Sequence, residues 1–373
     1  VLEHALEAEA VDAVFEECRE DQYTRTLLFS SVVQLMSLVV CRVRRSVSAA
    51  YKFEKEKLAV SQKSLYNKLN ASDASVCEGL FDHASGQMQR VLEELGTQER
   101  PLIPGYSTRI LDGNQWAATE HRLKELRTLA AGPLPGKALV VWDADVGMIR
   151  NAYCCEDSYT QERQMALRVL DDIQAGELWI ADRNFCTSVV LWEIAHSKAY
   201  FAIRRHARNV RFHATGDEKR KGKSDTGVVY ETPVAIEDQE GDSFEARLIR
   251  IELSSKTRDG DRSLEILSNL PPEVSALQIA NAYRERWQIE TAFFELDRVF
   301  EGEIKTLAHP GAAMLAFCTS LIAYNALRVA RAAIGASHGE EAADQVSDYY
   351  FTELVIADWR ALDIFGAPEE WSE

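Results

Sequence analysis

The chain has 373 residues, of which 46% are hydrophobic and 27% charged, with a formal net charge of −17. This length exceeds one average domain, and the composition is typical of a folded globular protein, which excludes a disordered chain. The longest apolar run, 27–41, contains three serines and a glutamine, so we expect a buried helix there and no membrane span. Seven cysteines without a C-x-x-C pair argue against a zinc site or a disulfide framework and favour the reducing cytoplasm.

The negative charge is concentrated at the two ends of the chain. Residues 1–21 contain eight acidic residues and one basic residue, and residues 336–373 contain ten and one. In the centre, 42–68 and 204–223 each carry eight basic residues against two acidic ones. Such runs are compatible with a nucleic-acid partner, although a single run of this size is more often a solvated surface.

Residues 1–104 are predicted to form a helical N-terminal region that binds DNA. Ser61 is placed to cap a short helix, and the amphipathic segment 51–60 precedes it. The pair resembles a helix-turn-helix in which Lys63 and Lys68 point outward. Two ordinary surface helices are an equally good interpretation of the same pattern.

Residues 105–206 are predicted to form an α/β unit. The pattern indicates a helix over 160–175 and strands at 107–112, 115–120, 138–143, 178–182 and 199–204. Three strands, a helix, a strand, a helix and a last strand are the order of a ribonuclease-H-like fold. In that fold Asp112 belongs to the first strand and Asp182 to the fourth.

The following segment, 207–274, changes to an alternation of apolar and polar residues, which predicts an antiparallel β insertion. Helices are expected again at 274–300 and 311–333, so that 275–335 is the second part of the core. The segment 336–373 is acidic and compatible with helix.

Three acidic residues are the candidates for chemistry. Tyr283, Arg286 and Glu290 follow one another at i, i+3 and i+7, which places them on one face of a predicted helix. Asp112 and Asp182 each follow a short hydrophobic run, where side chains of α/β sheets commonly form sites. Carboxylates that converge from strand ends and a helix suit hard divalent cations such as Mg²⁺ or Mn²⁺.

These segments carry a family resemblance. Asp112-Gly113-Asn114, the Ala-Asp-Arg-Asn-Phe segment 181–185 and the Tyr-x2-Arg-x3-Glu segment 283–290 resemble the signatures of bacterial insertion-sequence transposases of the DDE type. The most similar branch carries a Tyr-x2-Arg-x3-Glu-x6-Lys helix, and the resemblance covers roughly 105 to 335. The position of the family lysine is occupied by Asp297, with Arg298 beside it.

The resemblance implies a transposase that cuts insertion-sequence ends and joins them to target DNA by metal-dependent hydrolysis and strand transfer. It implies two Mg²⁺ or Mn²⁺ ions held by Asp112, Asp182 and Glu290, inverted-repeat DNA ends, a homodimer in a synaptic complex and action at the bacterial nucleoid in the cytoplasm. The residues expected to contact DNA, from the motifs and the basic runs, are Tyr283, Arg286, Arg183, Arg298, Arg204, Arg205, Lys63 and Lys68.

Other interpretations remain open on the sequence alone. Asp297 at the lysine position motivates a DNA-binding relic that no longer cuts, and a nuclease of the same fold without strand transfer is a third hypothesis. Asp143 and Asp145 also end a hydrophobic run and compete with Asp182 as the second metal ligand. Taken singly, Asp112 is more typical of a turn before glycine, and Glu290 of a surface ion pair with Arg286.

Overall fold

The computed structural model describes residues 2–20, 22, 26–96, 100–116, 136–157, 160–206, 208–237, 241–257, 260–300, 304, 309–347, 350 and 352–354. Within these ranges the chain is a mixed α/β protein, in which helices cover both faces of one ten-stranded sheet. The predicted strand residues 117–120 and the acidic tail from 355 lie outside the described residues.

The sheet combines parallel and antiparallel pairs. Its strands are β1 (Ser107–Gln115), β2 (Lys137–Asp143), β3 (Met148–Cys155), β4 (Glu177–Ala181), β5 (Tyr200–Arg204), β6 (Arg211–Ala214), β7 (Lys219–Lys223), β8 (Gly227–Glu237), β9 (Ser243–Leu253) and β10 (Ser263–Ser268). The spatial order is β3-β2-β1-β4-β5-β10-β9-β8-β6, and β7 also pairs with β8. The pairs β1–β4 and β4–β5 are parallel, whereas the other pairs are antiparallel.

The helices divide between the two faces of the sheet. They are α1 (Leu2–Ala5), α2 (Ala8–Cys18), α3 (Phe29–Val40), α4 (Val47–Phe53), α5 (Gln62–Asn70), α6 (Ala74–Glu94), α7 (Glu162–Leu170), α8 (Ser188–His196), α9 (Ala276–Arg284), α10 (Trp287–Val299), α11 (Pro310–His338) and α12 (Glu340–Gln345). One apolar core joins the sheet to α3, α6, α9, α10 and α11, and a second joins the opposite face to α7 and α8. Alternate residues of a strand point to opposite faces, so Ile110 and Leu111 belong to different cores.

Two predicted helices are confirmed as buried elements. The apolar run 27–41 forms α3, most of whose side chains are buried. The alanine-rich segment after Pro310 forms α11, which packs against α3, α6 and β3. Among the described helices, α11 is long and apolar enough to cross a membrane, but 89% of its most apolar window is buried inside the protein, as in a core helix.

The two helices expected around Ser61 are present in part. Ser61 caps α5 by accepting a hydrogen bond from the Ser64 N–H at 3.1 Å. The predicted helix 51–60 is wrong beyond Phe53, because α4 ends there and the chain continues in turns.

The sheet differs from the prediction in three places. The segment 148–155 forms β3, a strand that the sequence did not predict, and it completes the edge beyond β2. Gln115 belongs to β1, so Asp112 lies inside a strand and not at its end. The strands of 207–274 are antiparallel as predicted, but they continue the main sheet, because β10 pairs with β5.

Arg42 connects the N-terminal helices to the end of α10. Its guanidinium donates to the backbone carbonyls of Arg298 at 3.0 Å, Asp297 at 3.1 Å and Phe300 at 3.3 Å. The last carbonyls of a helix lack intrahelical partners and carry partial negative charge, so a cation there satisfies both needs. Arg42 itself adopts a left-handed backbone with φ of 58°.

We expect the Arg42→Ala variant to lose about 1–2 kcal/mol of unfolding free energy, because charged hydrogen bonds to the helix end disappear. Urea denaturation measures this change. Arg45→Ala is the matched control, since Arg45 is exposed in the same basic run and surface changes stay within about 0.5 kcal/mol. Equal stability of the two variants would contradict the capping role of Arg42.

Candidate active site

Asp112 lies on β1, and Asp182 directly follows the end of the adjacent parallel strand β4. The last residue pair between β1 and β4 is Leu111 with Ala181, and each aspartate is the next residue of its chain segment. Ile110 and Ile180, which stand two residues before Asp112 and Asp182, both belong to the apolar core that includes α9 and α10. Because side chains alternate along a strand, Asp112 shares that face, and Asp182 continues toward it where the strand ends.

The segment carrying Tyr283, Arg286 and Glu290 is two helices, not the single helix predicted over 274–300. The break lies between α9 and α10, where the Arg286 N–H donates to the Tyr283 carbonyl at 3.1 Å and the Gln288 N–H donates to the Glu285 carbonyl at 2.9 Å. These i to i+3 bonds tighten the turn to 3-10 geometry. The sequence did not reveal the break, since Glu285 and Arg286 keep helical backbone dihedrals and neither residue is proline or glycine.

Arg286 joins two of the predicted acidic residues. Its Nη1 lies 3.1 Å from Asp112 Oδ2, and its Nη2 lies 2.7 Å from Glu290 Oε1. The Arg286 side chain is only 11% exposed, whereas the Glu290 side chain is 39% exposed. A buried guanidinium between two carboxylates neutralises charge that burial alone would make costly.

Asp182 has a different environment. Its Oδ1 is buried and accepts no hydrogen bond from the described residues, and the nearest cation is Arg204 Nη1 at 3.7 Å. Arg204 Nη2 instead binds Asp261 Oδ2 at 2.8 Å. Burial and then the Asp182 charge raise the pKa of Tyr283, so the tyrosine hydroxyl belongs to the same electrostatic cluster. A buried carboxylate oxygen without a donor has capacity for a cation.

The pKa of the Asp112 carboxyl is raised toward neutral pH. Burial raises its pKa to about 6, while Arg286 and the Gly113 N–H lower it and the carboxylates of Glu290 and Glu162 raise it. Each of these groups therefore lies close enough to act on Asp112. Their combined effect leaves Asp112 ionised at neutral pH.

The three predicted ligands are brought to one region, but they do not form a closed metal site. Among the described residues, no group of three Asp, Glu, His or Cys side chains is arranged to hold a metal ion. Arg286 lies between Asp112 and Glu290, and Tyr283 lies close enough to be affected by the charges of both Asp182 and Arg286. The donor set, three carboxylates with one oxygen of Asp182 left without a donor, nevertheless fits a hard divalent cation.

Asp143 and Asp145 lie elsewhere on the sheet. Asp143 pairs with Arg109 in the β1–β2 register, three residues along β1 from Asp112, which corresponds to about 10 Å. Arg109 Nη1 lies 2.9 Å from Asp143 Oδ2 and 3.7 Å from Asp145 Oδ2, and Arg109 Nε lies 3.1 Å from Glu177 Oε1. All four side chains are buried. This ion-pair network accounts for both aspartates, so neither competes with Asp182 for a place beside Asp112.

The predicted DNA-contacting residues have unequal access. Arg183, Arg298 and Lys63 are exposed. Arg204 and Arg205 are partly buried and paired, Arg205 with Glu265. The prediction that Lys68 points outward is wrong, because its Nζ lies 3.9 Å from the centre of the Phe15 ring, among the N-terminal helices.

Two further features were missed from the sequence. Glu162, at the start of α7, lies close to the Asp112 segment and accepts a hydrogen bond from Asn184. Strand β7 is basic and exposed except at Gly222, and it forms an outer part of the same sheet. The basic residues of β7 belong to the run 204–223 that the sequence showed, but that run did not predict a strand. No local sequence pattern marks Glu162.

The comparisons with known proteins identify the family of the chain. The family described as transposase DDE domain matches residues 103–326, a range that contains Asp112, Asp182, Tyr283, Arg286 and Glu290. No curated protein matches the chain. Because the match spans more than half of the 373 residues, the chain belongs to the DDE transposase family of insertion sequences, whose members act on DNA in transposition and generally use divalent metal ions.

Proposed function

We propose that the chain cuts DNA at the ends of an insertion sequence and joins the freed 3′-hydroxyl ends to target DNA. The observation that carries this proposal is the Arg286 guanidinium, which binds Asp112 and Glu290 together beside Asp182. Carboxylates gathered from distant segments around an arginine and a tyrosine suit phosphoryl transfer, in which charge develops on phosphate oxygens.

The sheet order supports a ribonuclease-H-like core built from 105–206 and 275–335. Strands β3-β2-β1-β4-β5 lie in that order, β1, β4 and β5 are parallel, and β2 is antiparallel to its neighbours. In this proposal 207–274 is an insertion that extends the sheet. Residues 1–104 are proposed to be the helical DNA-binding region, and the acidic segment 336–373 is given no role in binding DNA.

Asp112, Asp182 and Glu290 are the residues that would hold two Mg²⁺ or Mn²⁺ ions. When bound, such ions activate a water or a 3′-hydroxyl and stabilise the leaving oxygen at phosphorus. The Asp182 oxygen without a donor supports this assignment. Asp112 and Glu290 must first release the two Nη atoms of Arg286, since these now occupy one oxygen of each carboxylate.

Arg286 and Tyr283 are proposed to bind the phosphate at the cut. The two Nη groups that now donate to Asp112 and Glu290 can instead donate to two phosphate oxygens, a geometry that guanidinium favours. Burial keeps the Tyr283 pKa above its usual value, so its hydroxyl is protonated at neutral pH and can donate a hydrogen bond. Arg286 would thus pass from the carboxylates to the substrate.

The remaining contacts with double-stranded DNA are assigned to exposed cations around this cluster. Arg183 follows Asp182 directly, and Arg298 lies on α10 with Glu290. The basic strand β7 extends the positive surface along the sheet. We propose that paired inverted-repeat ends are held by two copies of the chain in a synaptic complex.

The proposal is tested with a supercoiled plasmid that carries the element's own ends, incubated with the protein and Mg²⁺ or Mn²⁺. Wild type should release 3′-hydroxyl ends and join them to target DNA. Glu290→Gln should reduce both steps by roughly a thousandfold or more, as expected for a lost metal ligand. Glu295→Gln on the same helix, where Glu295 accepts a hydrogen bond from Tyr324, should remain within about threefold of wild type.

The outcomes separate the competing functions. DNA binding without cleavage above background, in wild type and Glu290→Gln alike, would support a DNA-binding relic and contradict the proposal. Pre-cut ends with a 3′-hydroxyl that are bound but never joined, together with active cleavage, would identify a nuclease without strand transfer.

Cation binding to the DNA-free protein should weaken as the pH falls below about 6. Burial raises the pKa of Asp112 to about 6, so at lower pH its proton must leave before the oxygen can ligate. One displaced proton weakens the apparent affinity by up to roughly tenfold per pH unit. Electron paramagnetic resonance titration with Mn²⁺ between pH 5 and 8 measures the slope. An affinity that stays constant down to pH 5 would contradict a role of Asp112 as ligand.

The raised pKa of Asp112 also affects the unfolding free energy of the metal-free protein. This free energy should fall as the pH rises, whereas the cation affinity should increase. The folded protein holds this proton up to about pH 6, whereas the ordinary pKa is 3.8. The Asp112 contribution to the unfolding free energy is therefore present below about pH 4 and is lost as the pH rises to about 6. The Asp112→Asn variant should lack this loss in urea denaturation.

A further inference from the structure

Glu162 lies on the far side of β1 from Asp112 and contacts the segment that follows Asp182. It is the first residue of α7, a helix that packs on the sheet face opposite to α9 and α10. The Asn184 side chain donates from Nδ2 to Glu162 Oε2 at 3.1 Å. The Glu162 carboxylate is thereby held by the same turn that carries Asp182.

The other oxygen of Glu162 lies against the backbone of Gly113. A Cβ atom at Gly113 would be 2.4 Å from Glu162 Oε1 and 2.8 Å from its Cδ. The carboxylate therefore occupies the space that any other residue at position 113 would fill. Gly113 follows Asp112 directly, so Glu162 touches both aspartate-bearing segments.

This contact lies where the strand pairing stops. The register between β1 and β4 ends at Leu111 and Ala181, and no further ladder bond joins the two segments among the described residues. Asp182 leaves β4 and enters a 3-10 turn, Arg183–Phe185, that includes Asn184. Beyond the last pair, Leu111 with Ala181, side chains that bridge the two segments can add to the constraint on the spacing between the two aspartates.

We propose that Glu162 is a positioning residue that fixes Asp112 and Asp182 relative to each other by holding Gly113 and Asn184 together. The inference deepens the proposed function, because it rests on those aspartates being joint cation ligands. An acidic residue at the start of a helix is favourable in itself, but that effect requires neither the glycine at 113 nor the bond from Asn184. Since side chains alternate across a strand, Glu162 acts from the opposite face and not as a ligand beside Asp112.

The test is Mn²⁺ binding by the DNA-free full chain, followed by electron paramagnetic resonance. Glu162→Ala should weaken the affinity roughly tenfold, because misplacing ligands by a fraction of an ångström is costly. Glu162→Gln should stay within about threefold of wild type, since its amide oxygen still accepts from Asn184. Asn184→Ala should resemble Glu162→Ala, and the double variant should be no worse than either single variant.

The Gly113→Ala variant tests the same contact from the side of Gly113. The new methyl group meets the free end of a flexible side chain, so the protein should fold while the Glu162 carboxylate is displaced. The affinity for Mn²⁺ should fall by about as much as in Glu162→Ala. In the Glu162→Ala background, the added Gly113→Ala change should have no further effect.

Each other outcome has a distinct meaning. If Asp112→Asn loses Mn²⁺ while Glu162→Ala keeps wild-type affinity, the positioning role is overturned and the proposed function stands. If Glu162→Gln is as damaging as Glu162→Ala, the negative charge and not the bridging geometry is what matters, and the positioning role is again overturned. If the wild type binds no Mn²⁺, or Asp112→Asn binds it equally well, both the inference and the proposed function fail.

Discussion

Replacing Arg286 with methionine is expected to strengthen Mn²⁺ binding to the DNA-free protein by about tenfold while lowering DNA cleavage by roughly a hundredfold or more. The guanidinium now binds Asp112 at 3.1 Å and Glu290 at 2.7 Å, so it competes with a cation for the same oxygens. Its removal frees both carboxylates and deletes a nearby positive charge. With DNA present, the same change removes the proposed phosphate donor.

Two assays on one variant therefore move in opposite directions. Mn²⁺ titration reports the first effect, and cleavage of end-containing DNA reports the second. Arg284→Gln is the matched control, because Arg284 stands two residues away and pairs with Asp225 and Glu285 on the surface. It should stay within about threefold in both assays. A variant of Arg286 that loses Mn²⁺ affinity would contradict the competition between arginine and cation.

The second large effect concerns stability. We expect Arg109→Leu to lower the unfolding free energy by about 3–5 kcal/mol, the range measured when one partner of a buried ion pair is removed. Arg109 contacts Asp143, Asp145 and Glu177 within the sheet, and these carboxylates would be left buried without their cation. Urea denaturation of the two proteins measures the difference.

Arg150→Leu is the control for this experiment. Arg150 lies 3.8 Å from Asp143, but its side chain is 35% exposed, so its loss should cost less than about 1 kcal/mol. Similar losses of unfolding free energy in Arg109→Leu and Arg150→Leu would show that the buried ion pairs of Arg109 contribute no more to stability than the partly exposed Arg150 does. A large loss in Arg109→Leu alone would also confirm that Asp143 and Asp145 serve the fold.

The sequence predicted the elements that have a strong local pattern. Runs of Val, Ile and Trp predicted β2 and β4. A capping serine predicted α5, and apolar residues predicted α3. Alternation of apolar and polar residues predicted β8 to β10. These signals are local, because they depend on the spacing of apolar residues and on capping side chains. Asp112 and Asp182 could be selected for the same reason, since each stands next to such a run.

What the sequence missed depends on tertiary contacts. Strand β3 carries Arg150 and Asn151 in its centre, and it is a strand because β2 offers it a partner and α6 covers it. Arg286, at the tight turn between α9 and α10, is held by Asp112, which is remote in the chain. The role of Glu162 depends on a glycine in another element. No window of neighbouring residues contains these relations.

The choice between Asp182 and Asp143 shows the same limit. Both aspartates end a hydrophobic strand, so local pattern could not separate them, and the family motif decided in favour of Asp182. In the structure, β4 runs parallel to β1, whereas β2 runs antiparallel to it. The ends of β4 and β2 therefore lie at opposite edges of the sheet.

The continuous sheet also sets the spacing between the acidic cluster and the basic strand β7. From β4, five steps through β5, β10, β9 and β8 lead to β7, and neighbouring strands are about 4.8 Å apart, so β7 lies about 24 Å from β4 measured across the strands. With a rise of about 3.4 Å per base pair, this span equals about seven base pairs. Under the proposed function, a duplex that runs across the strands would meet the basic side chains of β7 about seven base pairs from the bond that is cut.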